Sequence, residues 1–253
     1  MPVTALRALF LAAVLAAPAA ASAETYVRAG VGYDWSSSAR FADADCAQTA
    51  PPALFGCAAG LDGRPLGAAG HFGKAATVDL GLGYRLTPWA RVEAQATWRP
   101  ELDFTGDANF LRTPGEQPVE AEHDSLSALA VAYFDLPPVA GARPFLSAGA
   151  GLARNRLSLV VYGFPGLAAN ASTVTAAGRR TDFAWSLGAG LAWPLSDRMT
   201  LDLAYRYTDL GEVGTAAGPI VITRASGVRS IDVAPTRARL ETHGLTGSVR
   251  FAF

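Results

Sequence analysis

Few residues in this chain have side chains able to do chemistry, and they stand far apart. The three histidines are His71, His123 and His243, too dispersed for the close ligand spacing of a zinc set. His123-Asp124-Ser125 is the one grouping with catalytic potential, because residues two apart on a strand share a face and could serve as base and nucleophile. The carboxylate available further along that strand is Asp135, and no Glu stands at a comparable distance. Cys46 and Cys57, the only cysteines, are spaced to close a small loop by a disulfide in an oxidising compartment, contributing about 2–3 kcal/mol to local order. Gly-x-Gly recurs at Gly30/Gly32, Gly81/Gly83, Gly149/Gly151 and Gly188/Gly190. A dinucleotide fingerprint would add a third Gly leading into a helix, but Trp35, Leu86, Arg154 and Trp193 occupy those places, so no cofactor is expected.

The elements that carry these residues read as strands. Half of the 253 residues are apolar and 17% are charged, yet beyond residue 23 no run approaches the roughly 18 apolar residues of a spanning helix. A net charge of −1 with scattered arginines gives no basic stripe for nucleic acid. Residues 1–23 read as a secretory leader: Arg7, an apolar core from Ala8 to Ala17, and Ala21-Ser22-Ala23 as the cleavage site, leaving 24–253 as one exported unit. There, runs of about ten residues alternate apolar and polar or small, the period of a strand. Val27, Ala29, Val31, Tyr33 and Trp35 oppose Arg28, Gly30, Gly32 and Asp34, and seven similar runs follow, the last ending at Phe253. In the fourth run the apolar residues fall on both faces; Leu126, Ala128, Ala130, Ala132 and Phe134 are taken as outward.

The connections alternate in length. Thr87 to Ala90, Pro137 to Arg143 and Pro194 to Arg198 are short, whereas 37–74, 101–122, 154–180 and 211–240 are long. Short turns at one end and long loops at the other are the pattern of an outer-membrane barrel. The five tryptophans all fall at strand ends or in a turn, with Trp35, Trp98, Trp185 and Tyr207 at one rim and Tyr84, Trp89, Phe134, Trp193, Phe251 and Phe253 at the other. Indole favours the membrane interface, so two aromatic girdles are expected. The fold class is therefore all-β: an eight-stranded antiparallel transmembrane β-barrel with short periplasmic turns and four long external loops.

A barrel this narrow is filled by its own side chains. Arg28, Arg85, Arg91, Arg99, Arg206 and Arg250 share the inward face with Asp34, Asp79, Glu93, Asp135, Asp182 and Asp202, and balanced buried charges are expected to pair as a plug. A charged channel would call for a wider barrel or an excess of one sign. Loop 101–122 carries six acids and one Arg, whereas 154–180 carries Arg154, Arg156, Arg179 and Arg180 with no acid. Those arginines are candidates for lipopolysaccharide phosphates, to which guanidinium bonds bidentately.

Leu201-Asp-Leu-Ala-Tyr-Arg-Tyr-Thr-Asp-Leu-Gly211, Pro144-Phe-Leu-Ser-Ala-Gly-Ala-Gly151 and the final strand ending in Phe253 resemble the small outer-membrane β-barrels of the opacity-protein and OmpA-barrel type, common in proteobacteria. The resemblance spans the whole chain after residue 23. It implies a location in the outer membrane among lipid and lipopolysaccharide, recognition of Phe253 by the barrel-assembly machinery, a monomer, and roles in envelope integrity or surface and host interaction through the loops. His123-x-Ser125 is similar to the pair used by outer-membrane lipid A deacylases, but the residues that usually surround that pair are missing. The expected function is thus non-enzymatic, structural or surface-interacting. A narrow porin is the alternative, and a lipid A acyl hydrolase is a more distant one.

Overall fold

The computed structural model describes residues 24–253; the leader expected over residues 1–23 lies outside them. The described residues form sixteen strands. Eight make the barrel: β1 (Glu24–Ser36), β4 (Lys74–Thr87), β5 (Ala90–Arg99), β8 (His123–Asp135), β9 (Arg143–Leu157), β12 (Gly178–Pro194), β13 (Met199–Gly214) and β16 (Thr236–Ala252). They pair antiparallel in that order, and β1 closes the ring on β16 from Tyr26 opposite Ala252 to Ser36 opposite Thr242. Closure leaves the barrel without an unpaired edge, the condition for strands to cross hydrocarbon.

The four long connections hold the other eight strands: β2 (Ser38–Asp43) with β3 (Ala68–His71), β6 (Phe104–Ala108) with β7 (Pro118–Ala121), β10 (Val161–Gly163) with β11 (Ser172–Val174), and β14 (Gly218–Arg224) with β15 (Gly227–Val233). Each hairpin pairs with the next, and β2 joins β16, so the loops form one sheet standing on the barrel. The expectation of four long loops thus becomes a structured extracellular cap.

Along β16 the reason for two zones is visible on a single strand. Its even-numbered residues face inward throughout, but Ala238 and Leu240 give way to Thr242, Thr246, Ser248 and Arg250. On the outward side Arg237, Arg239 and Glu241 give way to Leu245, Val249 and Phe251. The lower half meets lipid outside and polar groups inside; the upper half meets water outside and must bury its apolar residues inside. Elsewhere one extra residue turns the alternation over at the boundary, as a β-bulge does. Arg99 and then Leu102 point inward on either side of Glu101, whose φ is 53°. Thr208 and then Val213 do so around Gly211, at φ 74°, where the register against β16 slips between Asp209 and Glu212.

The cap has an aromatic core. Phe104 lies between Phe41, edge-on at 4.9 Å, and Phe72 at 5.2 Å, and all three rings are fully buried. Cys46 and Cys57 are joined in a disulfide. The loop it closes is seated on the Asp43 carboxylate, which accepts N–H bonds from Leu54 at 2.8 Å, Phe55 at 3.0 Å and Gly56 at 2.8 Å. This places Phe55 over Phe110, ring centroids 5.0 Å apart.

Burying a Phe side chain stabilises by about 1.5–3 kcal/mol, and truncating one in a packed core costs about 3–5 kcal/mol. Phe104→Ala is therefore expected to speed protease cleavage within 101–122 in detergent while leaving the barrel's heat-dependent gel shift intact. Lipid-facing Leu80→Ala is expected to change neither.

Candidate functional site

Inside the barrel each inward arginine of the membrane zone lies within ion-pair distance of a carboxylate. Arg28 Nη2 is 2.8 Å from Glu93, Arg99 Nε 2.6 Å from Asp34, and Arg206 Nη1 3.1 Å from Asp79. Arg250 holds Asp202 through two nitrogens at 2.6 and 2.9 Å. Arg85 and Arg91 share Asp135, each at 3.2 Å. Arg91 also packs into the corner of two rings, its guanidinium carbon 3.9 Å from the Tyr133 centroid and 5.0 Å from that of Phe145, a cation–π arrangement. Glycines make the room: a Cβ at Gly83 would strike the Tyr26 ring, and one at Gly81 the Glu93 carboxylate. Asp182, grouped by alternation with the inward acids, instead sits half-exposed at the rim, where it accepts the Glu212 N–H at 3.0 Å beside the β13 bulge.

Several partners escaped the sequence reading. Gln95 and Thr97 donate to Asp79 at 2.7 and 2.6 Å, and Asn155 donates to the Leu210 carbonyl at 2.9 Å. Their signal was a polar type at an inward position, which charge counting ignored. In the fourth run the outward assignment of Leu126 through Phe134 is correct, with Leu129, Val131 and Tyr133 buried inside.

His123 and Ser125 both point into the protein, 3% and 0% exposed. The Ser125 hydroxyl has no hydrogen-bond partner, and the His123 ring packs against Phe72 at 5.2 Å. Asp135 is ten residues from Ser125 along β8, roughly 33 Å away, and is bound to arginines. No triad is assembled, and no metal-ligand group is found among the described residues. His123 lies above the membrane zone, where burial lowers its pKa from 6.5 to about 4.

The outer surface carries the remaining candidates. Arg154 and Arg156 on β9 and Arg179 on β12 are exposed and adjacent, with Arg156 directly opposite Arg179. Their one ion pair among the described residues is Arg156 with Asp124, at 3.9 Å. Arg180 is instead tied to Glu212 at 2.8 Å. On the neighbouring arc Glu101, Asp103, Glu120 and Glu122 are exposed. Space inside is small: a void of about 30 Å³ among Arg28, Gln95, Tyr133 and Arg206, enough for one or two waters. A vestibule of about 370 Å³ at the periplasmic mouth ends on Arg85, Asp135 and Arg250. Phe253 is exposed at that mouth, its N–H donated to the Thr25 carbonyl at 3.0 Å.

A closed antiparallel barrel with an apolar outer band, a charged interior and aromatic rims defines an outer-membrane β-barrel protein. The chain matches the outer membrane protein beta-barrel domain family over residues 7–253 and belongs to it. It is 27% identical over 127 residues to the outer membrane protein PagN of Salmonella typhimurium; the match spans 49% of this chain and 51% of that relative, about half its length. Among solved structures it is similar to Neisserial surface protein A (15% identity, TM-score 0.41, covering 90% of this chain and 97% of that one). It is also similar to the outer membrane protease OmpT of Escherichia coli (9%, 0.47, 92% and 99%) and to OprG of Pseudomonas aeruginosa (13%, 0.46, 92% and 96%). The chain is thus a protein of the cell outer membrane.

Two outcomes follow from this geometry. Asp202→Asn leaves Arg250 buried without its counter-charge and is expected to lower unfolding stability in lipid vesicles by about 3–5 kcal/mol, with much of the loss recovered when Arg250→Met is added to Asp202→Leu. For His123 the folded pKa lies below the unfolded one, so the unfolded chain binds more protons between the two values. Stability is complete above about pH 6.5 and falls as the pH drops to about 4, by roughly 3 kcal/mol, in protease-resistance titrations of the cap. His123→Leu is expected to abolish that step.

Proposed function

We propose that this protein is a non-enzymatic, monomeric barrel of the outer membrane that acts as a structural and surface-interacting element through its cap, with its interior closed by ion pairs. The observation that carries this reading is the interior itself: charged pairs fill the membrane zone, the void among them has room for one or two waters, and an aromatic core fills the cap above. The periplasmic vestibule favours the second reading, a narrow porin, but its floor is the Arg85–Asp135 pair. An acyl hydrolase is disfavoured because the His123 and Ser125 side chains are shut away from both lipid and water.

Around the collar, Arg154, Arg156 and Arg179 form a guanidinium group suited to lipopolysaccharide phosphates, with Arg180 a lesser contributor because Glu212 already occupies it. Phe253, exposed at the periplasmic end, is suited to act as the signal for the assembly machinery.

Liposomes containing the folded protein are expected to be no more permeable to small sugars and amino acids than empty ones; measurable flux would favour the porin. Unchanged lipid A mass on expression of wild type and of His123→Ala is the expected result for a protein without acyl hydrolase activity. Joint replacement of Arg154, Arg156 and Arg179 by Gln is expected to weaken lipopolysaccharide binding about tenfold, and Arg180→Gln alone to leave it unchanged.

A further inference from the structure

Between the apolar band and the charged collar, the outer wall of β1, β16, β13 and β12 carries rings in an unbroken row. Trp35 lies nearly parallel to His243, with centroids 6.0 Å apart and planes at 20°. His243 meets Tyr205 at 6.1 Å and Tyr207 at 5.3 Å, and Tyr207 meets Trp185 at 5.4 Å. The imidazole is fixed from both sides: Nδ1 is 2.6 Å from the Tyr205 hydroxyl and Nε2 is 3.2 Å from the Ser37 hydroxyl. An interfacial girdle accounts for single rings at this height, such as Trp98, which has no ring partner among the described residues. It does not account for five rings in contact across four adjacent strands with a locked imidazole in the middle.

Directly above the row the charges are tied to one another. Arg239 is bonded to Asp209 and lies 3.4 Å from Glu241, while Arg237 and Arg180 converge on Glu212 at 3.4 and 2.8 Å. Paired in this way they present little net charge, yet they offer donors and acceptors side by side, which is what sugar hydroxyls need. The poorly paired guanidiniums of Arg154, Arg156 and Arg179 begin at β12, the strand that also carries Trp185. Flat apolar faces suit the C–H face of a pyranose, paired ions suit its hydroxyls, and open guanidiniums suit phosphate.

We propose that the arc from β12 to β1 seats the sugar rings of a phosphorylated glycolipid headgroup on the Trp35–His243–Tyr205–Tyr207–Trp185 row, with the phosphates turned toward β9. This rests on the lipopolysaccharide reading above, and it adds the sugar subsite and one preferred side of the barrel. A membrane-anchored sugar is favoured over a free one because the row lies where Leu203 and Leu245 hand over to charged side chains, so acyl tails would continue down the apolar band.

The test uses the folded chain in phosphatidylcholine nanodiscs doped with lipid A or with dephosphorylated lipid A, counting retained glycolipid by native mass spectrometry. Wild type is expected to retain the dephosphorylated form above the phosphatidylcholine background. Joint Trp35→Leu, Tyr205→Leu and His243→Leu is expected to reduce that retention about threefold to tenfold, while Trp98→Leu leaves it unchanged. Replacing Arg154, Arg156 and Arg179 by Gln is expected to lower lipid A retention to the dephosphorylated level and no further. Wild type retaining the dephosphorylated form no better than phosphatidylcholine, or a ring variant matching Trp98→Leu, would overturn the sugar subsite while leaving the phosphate reading standing. Loss in the ring variant with none in the arginine variant would sink the phosphate reading and keep the subsite. Heat-dependent gel shifts report folding; if the triple variant does not fold, His243→Leu alone unlocks the row and is expected to lose at least about twofold, and no loss overturns the proposal.

Discussion

Arg91 is out of water, held by Asp135 and packed against the rings of Tyr133 and Phe145. Its predicament is the predicament of the whole interior. The outward half of every strand in the membrane zone must be apolar, so polar residues are driven into a lumen too narrow to hydrate them. A guanidinium left there alone costs several kcal/mol, and the remedy is a carboxylate on another strand. Arg28 reaches Glu93 from β1 to β5, Arg99 reaches Asp34 from β5 to β1, and Arg206 reaches Asp79 from β13 to β4. The pairs are therefore long in sequence, and each helps fix register between strands as well as balancing charge. Room for them comes from the small residues at Gly81 and Gly83, which is why glycine recurs on that face.

Above the membrane the outside solvent changes and the same strands obey the opposite rule. β16 shows that the strand itself need not break, since Leu240 and Thr246 are both inward on it and the extra residue is taken up by β13 opposite. What the change requires is a new filling for the lumen, supplied by Phe41, Phe72 and Phe104 in place of ion pairs. The cap then gains stability from the ordinary hydrophobic effect of a water-soluble core. His123 lies at the seam, its ring against Phe72 and its strand continuing down to Ser125 and Ser127. A buried imidazole packed on a ring marks the level where polar filling ends, and its burial accounts for its lowered pKa better than any catalytic role.

The membrane half was legible in the amino-acid order because period two there is uninterrupted and the lipid supplies one unvarying outer partner. Trp35, Trp98 and Trp185 located one rim and the short turns located the other. The cap was not legible, and the reason is local. A single extra residue at Glu101 or Gly211 turns the alternation over, so Phe104 and Val213 read as loop residues when the phase of the preceding strand is continued. Asp182 was misplaced by the same device, since it follows the parity of β12 into a region where β12 and β13 no longer pair and a carboxylate is needed to cap a free N–H. The row of rings around His243 was missed for another reason: its members come from four strands, and only the barrel's register brings them together.

A cap with its own core also changes what the outer surface can do. Loops of this length, if unstructured, would pay conformational entropy whenever they engaged a partner. Here β2 to β15 are paired into one sheet, the Cys46–Cys57 loop is held on Asp43, and the collar arginines project from barrel strands. The surface is therefore preorganised, and its charges keep fixed positions around the girth, acidic along the β5–β8 connection and basic on β9 and β12. Such a collar distinguishes one side of the barrel from another, so neighbouring lipid headgroups meet different chemistry at different angles. On the proposal that ion pairs close the lumen above the periplasmic vestibule, the chemistry open to a ligand from outside the cell lies on that outer collar and on the cap.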